Sequence, residues 1–191
     1  MTLSLLLGTL IGVMRVSPFG VVSAFAAGYT EFFRNIPLLI VLFFVLNGLP
    51  SMGITLSFFW VGVAGLTVYT AAYVAEIIRA GLQAVERGVV EAARSLGLSW
   101  LDTMRHILLP LTLRAAVPPL GSLFSALIRN TSLASAVAVP ELLYQAEVIE
   151  GRSFNPDIFI IAGVLYLLLT LPLAGLVNLA EMKFSLHRTG R

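Results

Sequence analysis

Two stretches of the chain, Ile54 to Ala75 and Ile158 to Leu179, run without a single Asp, Glu, Lys or Arg. At about 1.5 Å of rise per residue, either run as a helix covers the roughly 30 Å hydrocarbon layer of a bilayer. Such runs restrict the fold severely, because in lipid every backbone N–H and C=O must be satisfied within its own segment or around a closed barrel. Neither run alternates apolar and polar residues as a barrel strand does, which points to α-helical spans. Composition agrees: 58% of the 191 residues are hydrophobic and 12% are charged, too little polar surface to coat a water-soluble globule. A pI near 9.3 would suit nucleic acid, but the net charge is only +2 and the cations sit in the joints between apolar runs. The tendency of positive residues to stay on the cytoplasmic side accounts for that placement, and no nucleic-acid partner is expected. The absence of Cys removes disulfides and thiolate metal sites. Met1 leads directly into TLSLLLGTLIGVM with no basic leader, so no separate targeting peptide is expected, although the start reads as short.

Five membrane segments can be drawn. The first, Met1 to Met14, is brief for a full crossing; the second, about Phe19 to Leu46, is interrupted by Glu31, Arg34, Asn35 and Pro37. The third and fifth are the two uncharged runs, and the fourth covers about Ala115 to Val139 with RNTSL inside it. With the N-terminus outside, the cytoplasmic side receives Arg15, Arg79, Arg87, Arg94, Arg105, Arg114, Lys183, Arg188 and Arg191, and the outer side keeps Arg152 alone. The reverse orientation contradicts the positive-inside bias. The expected protein is all-α and polytopic, one transmembrane domain over residues 1–191, with a cytoplasmic loop at about 79–114 and a cytoplasmic C-terminus.

That loop holds a polar island, EAARSLGLSWLDTMRHILLP. Glu86 to Leu96 favours helix, with Val90, Ala93 and Leu96 near one face; Gly97 supplies a stop and Ser99 a cap for a second helix, Trp100 to Leu109. The second helix sets Leu101, Met104, Ile107 and Leu108 against Asp102 and Arg105, and Pro110 ends or bends it. Periodicity alone leaves open whether this pair meets a protein partner or lies on lipid headgroups.

Spacing goes further. E-A-A, three residues, G, nine residues, I, one residue, L-P is met by Glu91, Ala92, Ala93, Gly97, Ile107, Leu109 and Pro110. The pattern resembles the cytoplasmic signature loop of permease subunits in bacterial ABC importers. YTAAYVAEIIRAGLQAV, RNIPLL and RNTSLASAVAVPEL resemble the polar amino-acid subgroup of those permeases. The resemblance implies that the loop docks into a cleft on a separate ATPase subunit. Ala92 and Ala93 would permit close approach, Glu91 a charged contact, and Gly97 would set the angle between the two helices. It also implies a second permease subunit, identical or paralogous, two ATPase subunits, and an extracytoplasmic solute-binding protein in a bacterial inner membrane. No G-x-x-x-x-G-K-[ST] occurs in the chain. A phosphate cradle of the usual kind is therefore missing, and ATP and Mg are expected on the partner rather than here.

RNIPLL and RNTSL each join a cation, an Asn and a helix-weakening residue within or beside an apolar segment. Polar groups at membrane depth are costly and tend to face a cavity or the bundle interior, and interrupted helices often bind solutes. Arg34, Asn35, Pro37, Arg129, Asn130, Thr131 and Ser132 are accordingly the candidate pathway residues. The structural alternative is that Arg34 reaches toward the inner face while Asn130 to Ser132 bond across helices. Arg34 and Arg129 without a nearby Asp favour an anionic amino acid, unless Glu31 or a partner subunit neutralises them. The chain departs from the subgroup pattern at Ile36 and Val41, where Thr and Gln are usual, at Asn130, where Asp is frequent, and at Leu111 and Thr112 after the loop.

Other features carry structural readings. Glu76 and Arg79 form an i, i+3 pair where the third segment meets the cytoplasm. Phe58, Phe59, Trp60 and Tyr144 suit an interfacial aromatic belt. Pro118 and Pro119 open the fourth segment, and Pro172 bends the fifth. Gly8 and Gly12 make a G-x-x-x-G pair, a pattern common by chance in apolar helices, to which no contact is assigned. His106 and His187 have no ligand-like spacing. Two other classes stay open: an intramembrane enzyme, which would need convergent Asp, His or Ser groups, and a scaffold whose loop binds membrane lipid. A permease for another small polar solute is a third possibility.

Overall fold

The computed structural model describes residues 1–185, with side chains through Leu179. His187, Arg188 and Arg191, and the side chain of Lys183, lie outside the described residues. Everything described is helix, turn or loop. The order is α1 (Thr2–Met14), α2 (Gly20–Asn35), α3 (Leu38–Ser51), α4 (Phe58–Gln83), α5 (Arg87–Ser95), α6 (Trp100–Val137), α7 (Leu142–Ser153) and α8 (Asp157–Ser185).

The helices α4, α6 and α8 are long and apolar enough to cross a membrane, and α2 with α3 qualifies as a single span broken by a 106° bend. With the short α1, each of the five expected segments has a helical counterpart. The bend falls at Ile36 and Pro37, whose backbones are extended. Proline pushes the residue before it out of the helical region, which ends α2 at Asn35.

Pro110 does not end the second island helix. Trp100–Val137 runs as one rod of 38 residues, so the island's second helix and the fourth span are continuous. A π turn at Met104–Leu108 stands just before Pro110 and makes this possible. Proline lacks an N–H and crowds the carbonyl four residues back, and a wider turn relieves both problems. Pro118 and Pro119 likewise lie inside this rod rather than opening a span. A second departure is α7, a helix in the segment between the fourth and fifth spans. Glu141 caps it by accepting from Tyr144 N–H at 2.6 Å, and Phe154 closes it with φ +53°.

Small residues set the helix spacing. A Cβ placed on Gly8 would lie 2.4 Å from Val74 Cβ and 2.6 Å from the Ala71 carbonyl, and one on Gly12 would lie 2.7 Å from Ile78 Cβ. Without a hydrophobic drive between helices in lipid, such backbone proximity is what joins them. The G-x-x-x-G pair is therefore the seam between α1 and α4. Gly121 does the same for α6 and α8, since a Cβ there would fall 2.3 Å from Val177.

Two apolar clusters fill the bundle. One, built from Leu38, Leu42, Val61 and Val137, joins α3, α4 and the end of α6. The other joins Ile78 and Leu82 of α4 to Met104, Leu108 and Leu120 of α6, with Val90 of α5 and Trp100 packed against it. The island is thus rooted in the bundle core. By contrast α8 leaves Ile160, Leu168 and Leu171 more than 60% exposed, as a helix facing lipid or another subunit does.

Candidate functional site

The island folds into an elbow. Its first helix, α5, ends at Leu96 with a paired cap: Gly97 N–H donates to Arg94 O at 2.9 Å and Leu98 N–H to Ala93 O at 3.2 Å. That cap requires a left-handed residue next, and Gly97 has φ +75°. The second helix starts at once, with Ser99 Oγ accepting from Asp102 N–H at 3.1 Å. Gly97 and Ser99 therefore stand where the sequence sets a stop and a start.

The faces differ from those drawn by periodicity. Ala93, Met104 and Leu108 turn inward and are at least 91% buried, but Leu96 and Leu101 are 80% and 65% exposed. Glu91, Ala92 and Gly97 lie on the exposed side, Ile107 and Leu109 are half-buried, and Pro110 is exposed. So the signature residues divide. Ala93, Ile107 and Leu109 root the elbow, while Glu91, Ala92 and Gly97 join Leu96 and Leu101 on a free surface. His106 keeps its Nδ1 3.1 Å from the Asp102 carbonyl, a local contact.

At the root, one carboxylate gathers three guanidinium groups. Glu76 Oε2 lies 3.0 Å from Arg15 Nη1, 3.6 Å from Arg34 Nη1 and 3.0 Å from Arg79 Nε, and Arg79 Nη2 binds Oε1. The cations come from the ends of α1, α2 and α4. The pair expected between Glu76 and Arg79 is present, but it belongs to a network across three helices. Glu31, one of the two neutralisers considered for Arg34, instead approaches Arg15 at 3.7 Å, and Arg34 rests 5.8 Å from the centre of the Tyr73 ring. Arg34 is thus a bound cation.

The other pathway candidates are distributed. Asn35 and Pro37 are exposed at the bend between α2 and α3, and Asn35 Nδ2 donates to the Glu31 carbonyl at 2.7 Å. RNTSL marks the change from α- to 3-10-helix at Thr131. Thr131 and Ser132 donate to Ile128 O and Arg129 O, each at 2.7 Å, within their own helix, and Thr131 also meets the Tyr166 hydroxyl of α8. Arg129 is exposed, and no ion pair engages it among the described residues. Thr131 borders a cavity of about 350 Å³ between the start of α1, α4 and the end of α6.

Sequence reasoning missed two features. The Arg15 link was not visible because its partner Glu76, read only as the mate of Arg79, is 61 positions away. The other is Glu141, an acid between two apolar segments with no sequence signal for a distant partner, whose Oε2 accepts from Tyr166 Oη of α8 at 2.7 Å.

Residues 4–185 match the family described as the binding-protein-dependent transport system inner membrane component. The chain belongs to that family. The permease is 41% identical over 181 residues to the probable glutamine ABC transporter permease protein GlnM of Bacillus subtilis, covering 94% of this chain and 84% of that one. It is 38% identical over 193 residues to the glutamate transport system permease protein GluC of Corynebacterium efficiens, covering 93% and 85%. Among solved structures, an amino acid ABC transporter with histidines superposes at a TM-score of 0.85 and 34% identity over 95% of this chain and 86% of that one. The MetNI methionine ABC transporter in an inward-facing conformation shares the fold at a TM-score of 0.75 and 20% identity, covering 96% and 86%. The permease is therefore an all-helical, multi-pass ABC-transporter membrane subunit.

Proposed function

We propose that the permease forms half of the membrane pathway of an ATP-driven importer of polar amino acids, and that its elbow receives the force. One observation carries this reading: a firmly capped elbow, rooted through Ala93, Met104 and Leu108 in the bundle core, presents Glu91, Leu96 and Leu101 on an otherwise unoccupied surface. An apolar pair ringed by charge on a stiff support suits a protein groove. A two-state pathway needs differential binding of about 5.5 kcal/mol to move from 1:99 to 99:1, which a loose contact could not transmit.

The partners follow from this reading. ATP and Mg are held by two ATPase subunits, not by this chain, whose own role is non-catalytic. A second permease, identical or paralogous, closes the pathway, and an extracytoplasmic binding protein delivers the solute. The N-terminus faces outside and the elbow and C-terminus face the cytoplasm, in keeping with the positive-inside bias. The names of the relatives support glutamine or glutamate as cargo. Of the candidate pathway residues, Asn35 and Pro37 at the bend and Arg129 to Ser132 at the helix transition are proposed to line the route. Arg34, neutralised by Glu76, would position that route.

Reconstitution with the ATPase and binding protein in liposomes tests the reading. ATP-dependent uptake of radiolabelled glutamine or glutamate is expected, and energy-independent leakage would contradict it. Competition among glutamate, glutamine and arginine in the Arg129→Gln variant tests the route, and an unchanged preference removes Arg129 from it.

A further inference from the structure

Two π turns occur in the described chain, and each stands just ahead of a proline: Phe44–Gly48 before Pro50 and Met104–Leu108 before Pro110. In α6 the widening is visible in the bonding, because Leu109 N–H donates to the Met104 carbonyl, five residues back. The two turns differ in how nearby polar side chains are satisfied. Around the first, Asn47 donates to Phe43 O at 3.1 Å and Ser51 to Gly48 O at 2.6 Å. Around the second, Thr103 and Thr112 flank the turn on either side, 4% and 0% exposed, and neither Oγ1 has a hydrogen-bond partner.

A helical threonine commonly gives its hydroxyl to a carbonyl one turn back, as Thr30 and Thr170 do here at 2.8 Å. Leaving a buried hydroxyl unpaired costs free energy, and two such groups bracketing one turn call for a common cause. Space is also left beside the turn. A cavity of about 330 Å³ is walled on one side by Trp100, Met104 and Leu108 of α6, with Arg15, Leu82 and Gln83 on other elements. On the span side α6 is held tightly, since a Cβ on Gly81 would lie 2.7 Å from the Thr112 methyl. An adjustment of the turn would therefore be taken up on the elbow side, where the cavity lies, before the span.

We propose that Met104–Leu108 is the joint of the elbow, and that Thr103 and Thr112 are positioning residues whose hydroxyls find partners in the joint's second setting. This rests on the elbow being the point where ATPase motion enters. Closing a π turn to α spacing removes one residue from the turn, which rotates the preceding helix by about 100° and shifts it by about 1.5 Å. Fractions of that movement suffice to re-aim Thr103. The cavity beside Met104 and Leu108 gives their side chains room, and Pro110 keeps the open setting accessible by disfavouring the regular turn.

The chain contains no cysteine, so spin labels can be placed at Arg87, at the far end of α5 from Leu96 and Leu101, and at Val117, both exposed, by introducing a pair of Cys residues. In the complete complex in lipid nanodiscs, the distance between the labels is expected to change when ATP is trapped on the partner. The Thr103→Val, Thr112→Val double variant should keep the nucleotide-free distance, lose most of the trapped-state population and lower ATP-driven uptake about tenfold. Thr→Ser at both positions, which keeps the hydroxyls, should restore both readouts. A distance that does not move on trapping while wild-type uptake proceeds overturns the joint. So does a Val double variant with wild-type uptake. If the wild-type permease fails to retain the ATPase on purification, the elbow reading itself falls and the joint with it, and that pull-down identifies which has failed.

Discussion

Glu76 holds the largest responsibility of any single side chain. Three guanidinium groups from the ends of α1, α2 and α4 share its carboxylate, whose side chain is 24% exposed. Glu76→Gln leaves those cations with only Glu31 nearby, and hydrogen bonds to charged groups contribute roughly 1.5–3 kcal/mol. A loss of about 2 kcal/mol is expected in detergent-solubilised thermal or denaturant unfolding. Glu76→Asp should recover part of it; equal stability of Gln and wild type would show that the network is ornamental. Gly8 is the steric counterpart. Gly8→Val drives a branched side chain into Val74 and the Ala71 carbonyl, while Gly28→Ala meets nothing within 4 Å. The first should destabilise by about 1–3 kcal/mol, and the second should be neutral or gain up to about 1 kcal/mol, as Gly to Ala does in an open helix. The G-x-x-x-G spacing was legible in the sequence, but its use was not, because spacing alone does not say which helix lies opposite.

Among elements, the elbow was the most legible and the rod that continues it the least. Gly97 and Ser99 announce a stop and a start through backbone chemistry that no tertiary contact overrides. Pro110 suggested an end or a bend by the same kind of rule, and the end is avoided by a π turn that moves the crowded carbonyl aside. The apolar stripes were misassigned at Leu96 and Leu101 because periodicity cannot distinguish a face that meets its own bundle from one that meets another protein. That error is informative. Leu96→Asp and Leu101→Asp, at positions 80% and 65% exposed, should alter stability by no more than about 0.5 kcal/mol. The same variants are expected to reduce ATPase co-purification at least tenfold. Unfolding of the permease, or undiminished co-purification, would remove this surface from the interface. The helix α7 was missed for the opposite reason: its cap is Glu141, an uncommon capping residue, fixed by Tyr166 from a distant helix.

For the whole molecule, the apolar runs, the broken second segment and the helical class were all written in hydropathy and proline placement. Depth, pairing and lining were not, since they depend on which faces meet. Exposed apolar residues along α8 and at the bend between α2 and α3 leave a surface that lipid and a second permease would cover. On the proposed reading, the elbow would link this bundle to an ATPase on a separate subunit. The most direct test is the coupling ratio in proteoliposomes: solute taken up per ATP hydrolysed, for wild type, Glu91→Lys and Gly97→Asp, with circular dichroism and size-exclusion chromatography to verify folding. Folded variants that insert, yet lose solute-stimulated uptake by tenfold or more, are the expected result; variants that transport with wild-type stoichiometry would contradict it.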